Sequence, residues 1–174
     1  MKPAVAPLAR GELRLRLLEE SDLPLTREWR NREDVRHWFF SSDIVTEQQH
    51  RAWYERYRDK ASDLVFIVEE TRRLRRPVGQ VSLYHLDARD RSAEFGRLMI
   101  GDPAARGSGF GRGATELALD VAFGPLGLRE VYLEVVPNNA RAIDIYRACG
   151  FAESARESGV IRMVANASAR GDRS

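Results

Sequence analysis

EFGRLMIGDPAARGSGFGRGATELALDVAF (residues 94–123) reads as a strand, a glycine-rich turn and a helix, and REVYLEVVPNNARAIDIYRACGF (residues 129–151) repeats the plan with an Asn-rich turn. Glycines at 107, 109, 111 and 113 remove side chains, so backbone N–H groups can approach an anion closely. The turn opens a helix, where unpaired N–H groups and the helix dipole favour negative charge. A pyrophosphate fits such a cradle, and Arg106 and Arg112 add positive charge for its oxygens. The glycines alternate, which is not the dinucleotide GxGxxG spacing. No Gly-Lys-Ser/Thr follows, so it is not a Walker loop either.

Working outward, Ala93–Ile100 is one strand, closed by Gly101-Asp102-Pro103, and Glu130–Val136 is the next. Helices are expected from about Gly109 to Phe123, with Leu117, Ala118 and Val121 buried, and from Asn139 to Ala148. Upstream, Leu13, Leu15 and Leu17 alternate with Arg14 and Arg16, the pattern of a half-buried strand. Ser21-Asp22 and Pro24 start a helix that fades near Val35. Thr46 and Gln49 have the spacing of a capping box for a helix reaching about Asp59. Leu64–Val68 is a continuous apolar strand and Pro77–Leu86 another, joined by an Arg-rich hairpin (Arg72, Arg73, Arg75, Arg76) read as a solvated loop. A closing hairpin turns at Ser158-Gly159. Residues 1–11 and 166–174 read as flexible tails around a single domain spanning 12–165. Three strands in succession, then strand–helix alternation, imply an α/β (α+β) fold with a mixed sheet rather than a doubly wound one.

The chain has 174 residues, 43% hydrophobic and 31% charged, which suits one soluble domain with a substantial core. Net charge is +2 from 28 basic and 26 acidic residues, a balance that argues against a nucleic-acid binder. No apolar run is long enough to span a bilayer and residues 1–10 lack the apolar core of a secretory signal, so no membrane partner is expected and a cytoplasmic location is. The single cysteine, Cys149, excludes an intramolecular disulfide framework and reads as a small buried hydrophobe. No His/Cys/Asp cluster has metal-ligand spacing, so no metal is expected.

Arg106-x-x-Gly109-x-Gly111, with Asn139-x-x-Ala142-x-x-x-Tyr146 and Gly150-Phe151 downstream, resembles the paired signatures of the GNAT N-acetyltransferase superfamily, over residues 12–164. The resemblance implies a GNAT fold: a central mixed, mostly antiparallel sheet of about seven strands with about four helices, splayed between its fourth (93–100) and fifth (130–136) strands. It implies acetyl-CoA as acyl donor. Leu98, Met99 and Ile100 would pair with the pantetheine amides like an added strand. Arg106, Gly107, Ser108, Gly109, Phe110, Gly111 and Arg112 would hold the pyrophosphate, and Asn139 would help fix the pantetheine. Tyr146 would protonate the departing thiolate. Glu134 and Glu94 are the candidate general bases, with Glu134 favoured.

The acceptor side is expected in the first two helices and their loop. Arg30, Trp38, Phe39, Phe40, His50 and Trp53, with Tyr84, are the substrate-binding candidates. Their pattern resembles a subgroup acting on nucleotide-linked amino sugars, of the pseudaminic-acid pathway type, related to ribosomal-protein acetyltransferases. Arg30 and His50 would meet the diphosphate or nucleobase, and the rings would meet a deoxy-sugar and base. The alternatives are the N-terminal amine of a protein, another small-molecule amine including an aminoglycoside, or a non-catalytic acetyl-CoA-binding module. Oligomeric state is left open, a homodimer included.

Overall fold

The computed structural model describes residues 1–39 and 41–171. In chain order the elements are β1 Leu8–Arg10, β2 Leu13–Leu17, α1 Leu23–Asn31, α2 Glu33–Arg36, α3 Glu47–Asp59, β3 Leu64–Glu70, β4 Arg76–Asp87, β5 Ser92–Ile100, α4 Phe110–Phe123, β6 Glu130–Val135, α5 Ala140–Ala148, β7 Ala152–Glu157, β8 Val160–Asn166 and α6 Ala167–Arg170. Among the described residues the strands form one open sheet of 8, in the order β1-β2-β3-β4-β5-β6-β8-β7. Every neighbouring pair is antiparallel except β5 and β6.

The burial pattern explains the strand sequences. β3 is covered on both faces, hence its unbroken apolar run. Leu64, Phe66 and Val68 join the larger core under α4, while Val65 and Ile67 join Leu18, Leu23, Tyr54 and Tyr57 under the N-terminal helices. β2 buries Leu13 and Leu15 on the α4 side. Arg16, on its other face, clamps Asp22 with bonds of 2.8 Å and also pairs with Glu69. The Thr46–Gln49 capping box forms reciprocally, at 3.2 and 2.9 Å.

Three local expectations are revised. Residues 8–10, assigned to a flexible tail, form an edge strand: Gly11 turns the chain with φ 60°, and Leu8 pairs with Leu15. At the other end, residues 167–170 form a short helix, because Arg170 meets Asp120 at 2.5 Å and Glu116 at 2.9 Å. The third is a refinement: Arg72, Arg73, Arg75 and Arg76 of the hairpin are exposed, as expected, but its backbone is anchored from within. The Glu70 carboxylate, 1% exposed, accepts from the backbone N–H groups of Arg72, Arg73, Leu74 and Arg75. Burial alone would raise this carboxyl, but the converging N–H groups outweigh it and hold it at about 2.

The feature that makes a site is the fork between β5 and β6. They pair in parallel only at Ser92–Glu130, Ala93–Val131 and Glu94–Tyr132. Beyond Glu94 they part. Met99 and Ile100 still pair with Gln80 and Gly79 on β4, leaving the opposite edge of β5 facing the gap. A bulge helps to turn that edge: Arg97 and Leu98 lie between the paired residues Gly96 and Met99, where β4 has only Val81, and Arg97 takes φ 53°.

Candidate active site

A cavity of about 450 Å³ fills the open end of the fork. Its floor is Leu98, Met99 and Ile100 of β5, and its far wall is Asn139, Ala142, Ile145 and Tyr146 of α5. Its mouth is formed by Arg106, Gly107, Gly109, Gly111 and Arg112 at the start of α4. Gly109 is the N-cap residue, at φ 76°, and Gly107 is at φ 75°. These are left-handed conformations that side-chain-bearing residues adopt at a cost, and they turn the loop's N–H groups together. Ser108 is exposed and lies outside the cavity lining; Phe110 is 5% exposed, its ring packed into the core.

Two residues of the loop are more engaged than their sequence suggests. Arg106 pairs with Asp34 of α2, across the cavity mouth. That guanidinium, with Arg32 behind it, holds the Asp34 carboxyl at about 2, so the Arg106 charge is shared before any anion arrives. Asn139 caps α5, its Oδ1 accepting from the Ala142 N–H at 3.3 Å. Its amide NH₂ remains the donor it can offer.

Tyr146 stands over the fork on the α4 side. Its ring is edge-on to Phe95 and Phe151, with centroids 5.6 and 5.8 Å away. Burial, and then Cys149, push its hydroxyl up to about 12, so it carries its proton throughout the neutral range. Cys149 is 2% exposed, and burial pushes its thiol up to about 12 as well, which suits a packing role.

On the opposite face, at the last paired position before the strands separate, sits Glu94. Its side chain is 14% exposed and held at both oxygens: Tyr84 donates its hydroxyl at 3.0 Å, and His85 Nδ1 lies at 2.8 Å. Burial and the adjacent Glu94 raise the Tyr84 phenol. Glu134, two residues past the fork on β6, is exposed and lies opposite Arg162 of β8.

The upstream candidates divide. Trp38 and Phe39 line the same cavity, with Arg30 stacked over the Phe39 ring at 4.2 Å and donating to the Ser41 carbonyl at 2.5 Å. His50 and Trp53 do not join them. His50 Nε2 meets Thr26 Oγ1 at 3.0 Å, and its ring stacks on Trp53, which stacks on Tyr57. That ladder runs along α3 because residues three and four apart share a helix face. Phe40 lies outside the described residues. His50 lines a separate cavity of about 490 Å³ with Leu23, Pro24 and Arg27. From the sequence His85 reads as structural or solvated, and Asp34 and Arg97 are not singled out; their placement beside the site depends on strand bulges and on which loop faces which, and nothing local announces either.

A fork-shaped sheet with a glycine cradle at one end and a buried phenol above it is the arrangement that the resemblance to acyl-CoA-dependent acyltransferases implies. The acetyltransferase (GNAT) domain model matches residues 12–152, and the chain belongs to that family. It is an acetyltransferase. Among curated proteins it is 30% identical over 143 residues to the spermidine N(1)-acetyltransferase of Vibrio cholerae serotype O1, covering 82% of this chain and 80% of that one. It is 29% identical over 153 residues to the α/β-tubulin-N-acetyltransferase 9 of Drosophila melanogaster, covering 79% of this chain and 74% of that one. Among solved structures it superposes on the Vibrio cholerae spermidine N-acetyltransferase in complex with CoA and spermine with a TM-score of 0.81, at 29% identity, covering 90% of this chain and 96% of that one. The nucleotide-sugar subgroup finds no support in these relatives, which favour the alternative reading of a small-molecule amine.

Proposed function

We propose that the protein transfers the acetyl group of acetyl-CoA directly to a primary amine of a small polyamine such as spermidine. The observation that carries this reading is the fork, with Glu94 at its vertex on one face and Tyr146 above it on the other. The unpaired edge of Leu98–Ile100 receives the pantetheine arm as an added strand, and the 107–112 backbone with Arg112 receives the pyrophosphate. The amine enters from the Glu94 face. Glu94 takes one proton from the ammonium, the neutral nitrogen bonds the acetyl carbon as the carbon–sulfur bond breaks, Tyr146 gives its proton to the departing sulfur, and the second proton lost by the nitrogen as the amide forms restores the Tyr146 phenol. Glu94 is preferred to Glu134 because its carboxylate is oriented by two partners at the vertex, whereas Glu134 is an exposed strand charge.

The polyamine assignment draws on the names of the spermidine-acetylating relatives. A second reading is a protein amine, as in the tubulin-acetylating relatives. It draws on Arg97 over the Tyr84 ring at 4.7 Å and Arg162 over the Tyr132 ring at 4.0 Å, two cations that suit an acceptor bearing an acidic group. A CoA-thiol release screen with spermidine, spermine, amino sugars, aminoglycosides and peptides separates these. Turnover of polyamines is expected; turnover of peptides alone overturns the polyamine reading. Glu94→Gln is expected to lower kcat by about 10²-fold, the low end for a lost general base, and Glu134→Gln by less than about threefold. The reverse ranking transfers the base to Glu134.

A further inference from the structure

We propose that His85 is a positioning residue: its Nδ1–H holds the Glu94 carboxylate in the orientation that receives the proton of the amine. The inference rests on the reading of Glu94 as the base and extends it. In a regular strand, consecutive side chains point to opposite faces, so Tyr84 and His85 would not meet the same carboxylate. Here they do, at 3.0 Å to one oxygen and 2.8 Å to the other. The cause is a bulge. Tyr84 pairs with Glu94 and Asp87 with Ser92, so His85 and Leu86 both stand opposite Ala93. His85 takes φ 52°, a left-handed conformation uncommon outside glycine, which swings its ring onto the Glu94 face.

The two partners of Glu94 are not equivalent. Tyr84 donates a proton it keeps, because its phenol is raised by burial and by Glu94 itself. Facing an acceptor-only carboxylate, the imidazole donates from Nδ1 and turns Nε2 outward. Its side chain is 57% exposed while Glu94 is 14% exposed, so an accessible ring fixes a sheltered carboxylate. That ring lines a cavity of about 940 Å³ with Asp87, Glu130, Tyr132 and Arg162, beyond the closed end of the fork and away from the cofactor cavity. Glu94, once it has taken the proton of the amine, returns it to water at the exposed edge of the fork, and the Nδ1–H of His85 stays in place to hold the restored carboxylate. The charged and titratable groups facing this pair are Tyr84 and Asp87 on β4, Asp90 in the turn after it, Arg97 on β5, Arg129 just ahead of β6, Glu130, Tyr132 and Glu134 on β6, and Arg162 on β8. Asp63, ahead of β3, accepts the His85 backbone N–H.

The test compares His85→Asn, His85→Ala and Glu94→Gln in the full-length protein, with acetyl-CoA and spermidine or the amine that the thiol-release screen returns. Asn retains a donor near the Nδ1 position and so preserves the bond to Glu94. The expected result is a kcat within about threefold of wild type for His85→Asn and about tenfold lower for His85→Ala, with the KM for the amine changed less than kcat in both. Acetyl-CoA affinity by calorimetry stays at the wild-type value in both, which reports an intact fold. His85→Ala with wild-type kcat, or His85→Asn as impaired as His85→Ala, overturns the positioning role while leaving Glu94 in place. Glu94→Gln with wild-type turnover overturns both.

Discussion

Replacing Tyr146 by Phe removes one oxygen from a ring that is otherwise held by packing. Its centroid contacts with Phe95 and Phe151, at 5.6 and 5.8 Å, involve only ring carbons and persist in the variant. The cofactor cradle is contributed by other residues, so ground-state binding is preserved. On the proposed mechanism, what disappears is the proton for the departing sulfur. A thiolate is a stable leaving group, its conjugate acid titrating at about 8.5, so the loss belongs at the low end of the range for a general acid. That is about 10²-fold in kcat, equivalent to about 2.7 kcal/mol of transition-state stabilisation. The assay is steady-state CoA-thiol release at saturating acetyl-CoA, with acetyl-CoA affinity measured by calorimetry on the same preparation. An unchanged kcat refutes the assignment. A fall in kcat matched by an equal loss of affinity also refutes it, because the hydroxyl would then be binding the donor rather than discharging it. The raised phenol gives a second readout. Its folded-state value of about 12 lies above the unfolded value of about 10, so the protonated native form loses stability relative to the unfolded chain as pH rises between them. Tyr146→Phe should flatten the alkaline fall in Tm over that window.

Gly109→Ala places a side chain at φ 76° in the N-cap of α4, a conformation costing about 1–2 kcal/mol. Acetyl-CoA affinity measured by calorimetry should drop by about tenfold as the loop N–H groups reorient. Gly101→Ala puts a Cβ 2.1 Å from Trp29 Cγ, too close for a ring that is itself 3% exposed. Thermal unfolding should show about 2–3 kcal/mol of destabilisation from overpacking. Glu70→Gln removes a carboxylate held at about 2 by the hairpin N–H groups. A depressed carboxyl stabilises the fold above its unfolded pKa and ceases to do so as pH falls through about 2. The variant should therefore melt lower than the parent at neutral pH and lose less Tm on acidification.

Much of this molecule is legible in one dimension. The alternation of Leu13–Leu17, the Thr46–Gln49 box and the glycine run before α4 each rest on contacts within a few residues, and each appears where its pattern places it. The two motifs at 106–111 and 139–146 flank the fork because each sits at a strand-to-helix turn, and consecutive parallel strands bring such turns to one end of a sheet. Sequence failed where a residue's partner lies far along the chain. Residues 8–10 look like a tail until Leu15 is seen beside Leu8, and Arg170 looks frayed until Asp120 is seen beside it. His50 carries the composition of a ligand-binding residue, yet Thr26 and Trp53 hold it along α3, away from the cofactor cavity.

Residues 94–151 alone therefore carry the family signature, because a glycine-rich turn at a helix start and a tyrosine on the following helix are local consequences of glycine placement and helix phase. The proposed choice of base rests on tertiary structure. Glu94 and Glu134 are indistinguishable as strand glutamates, and only the register of β5 against β6 places one at the vertex and leaves the other beyond it. The partners of that base are tertiary for the same reason: a single bulged residue with φ 52° reverses the face to which His85 belongs, and no periodicity in the sequence reports a bulge.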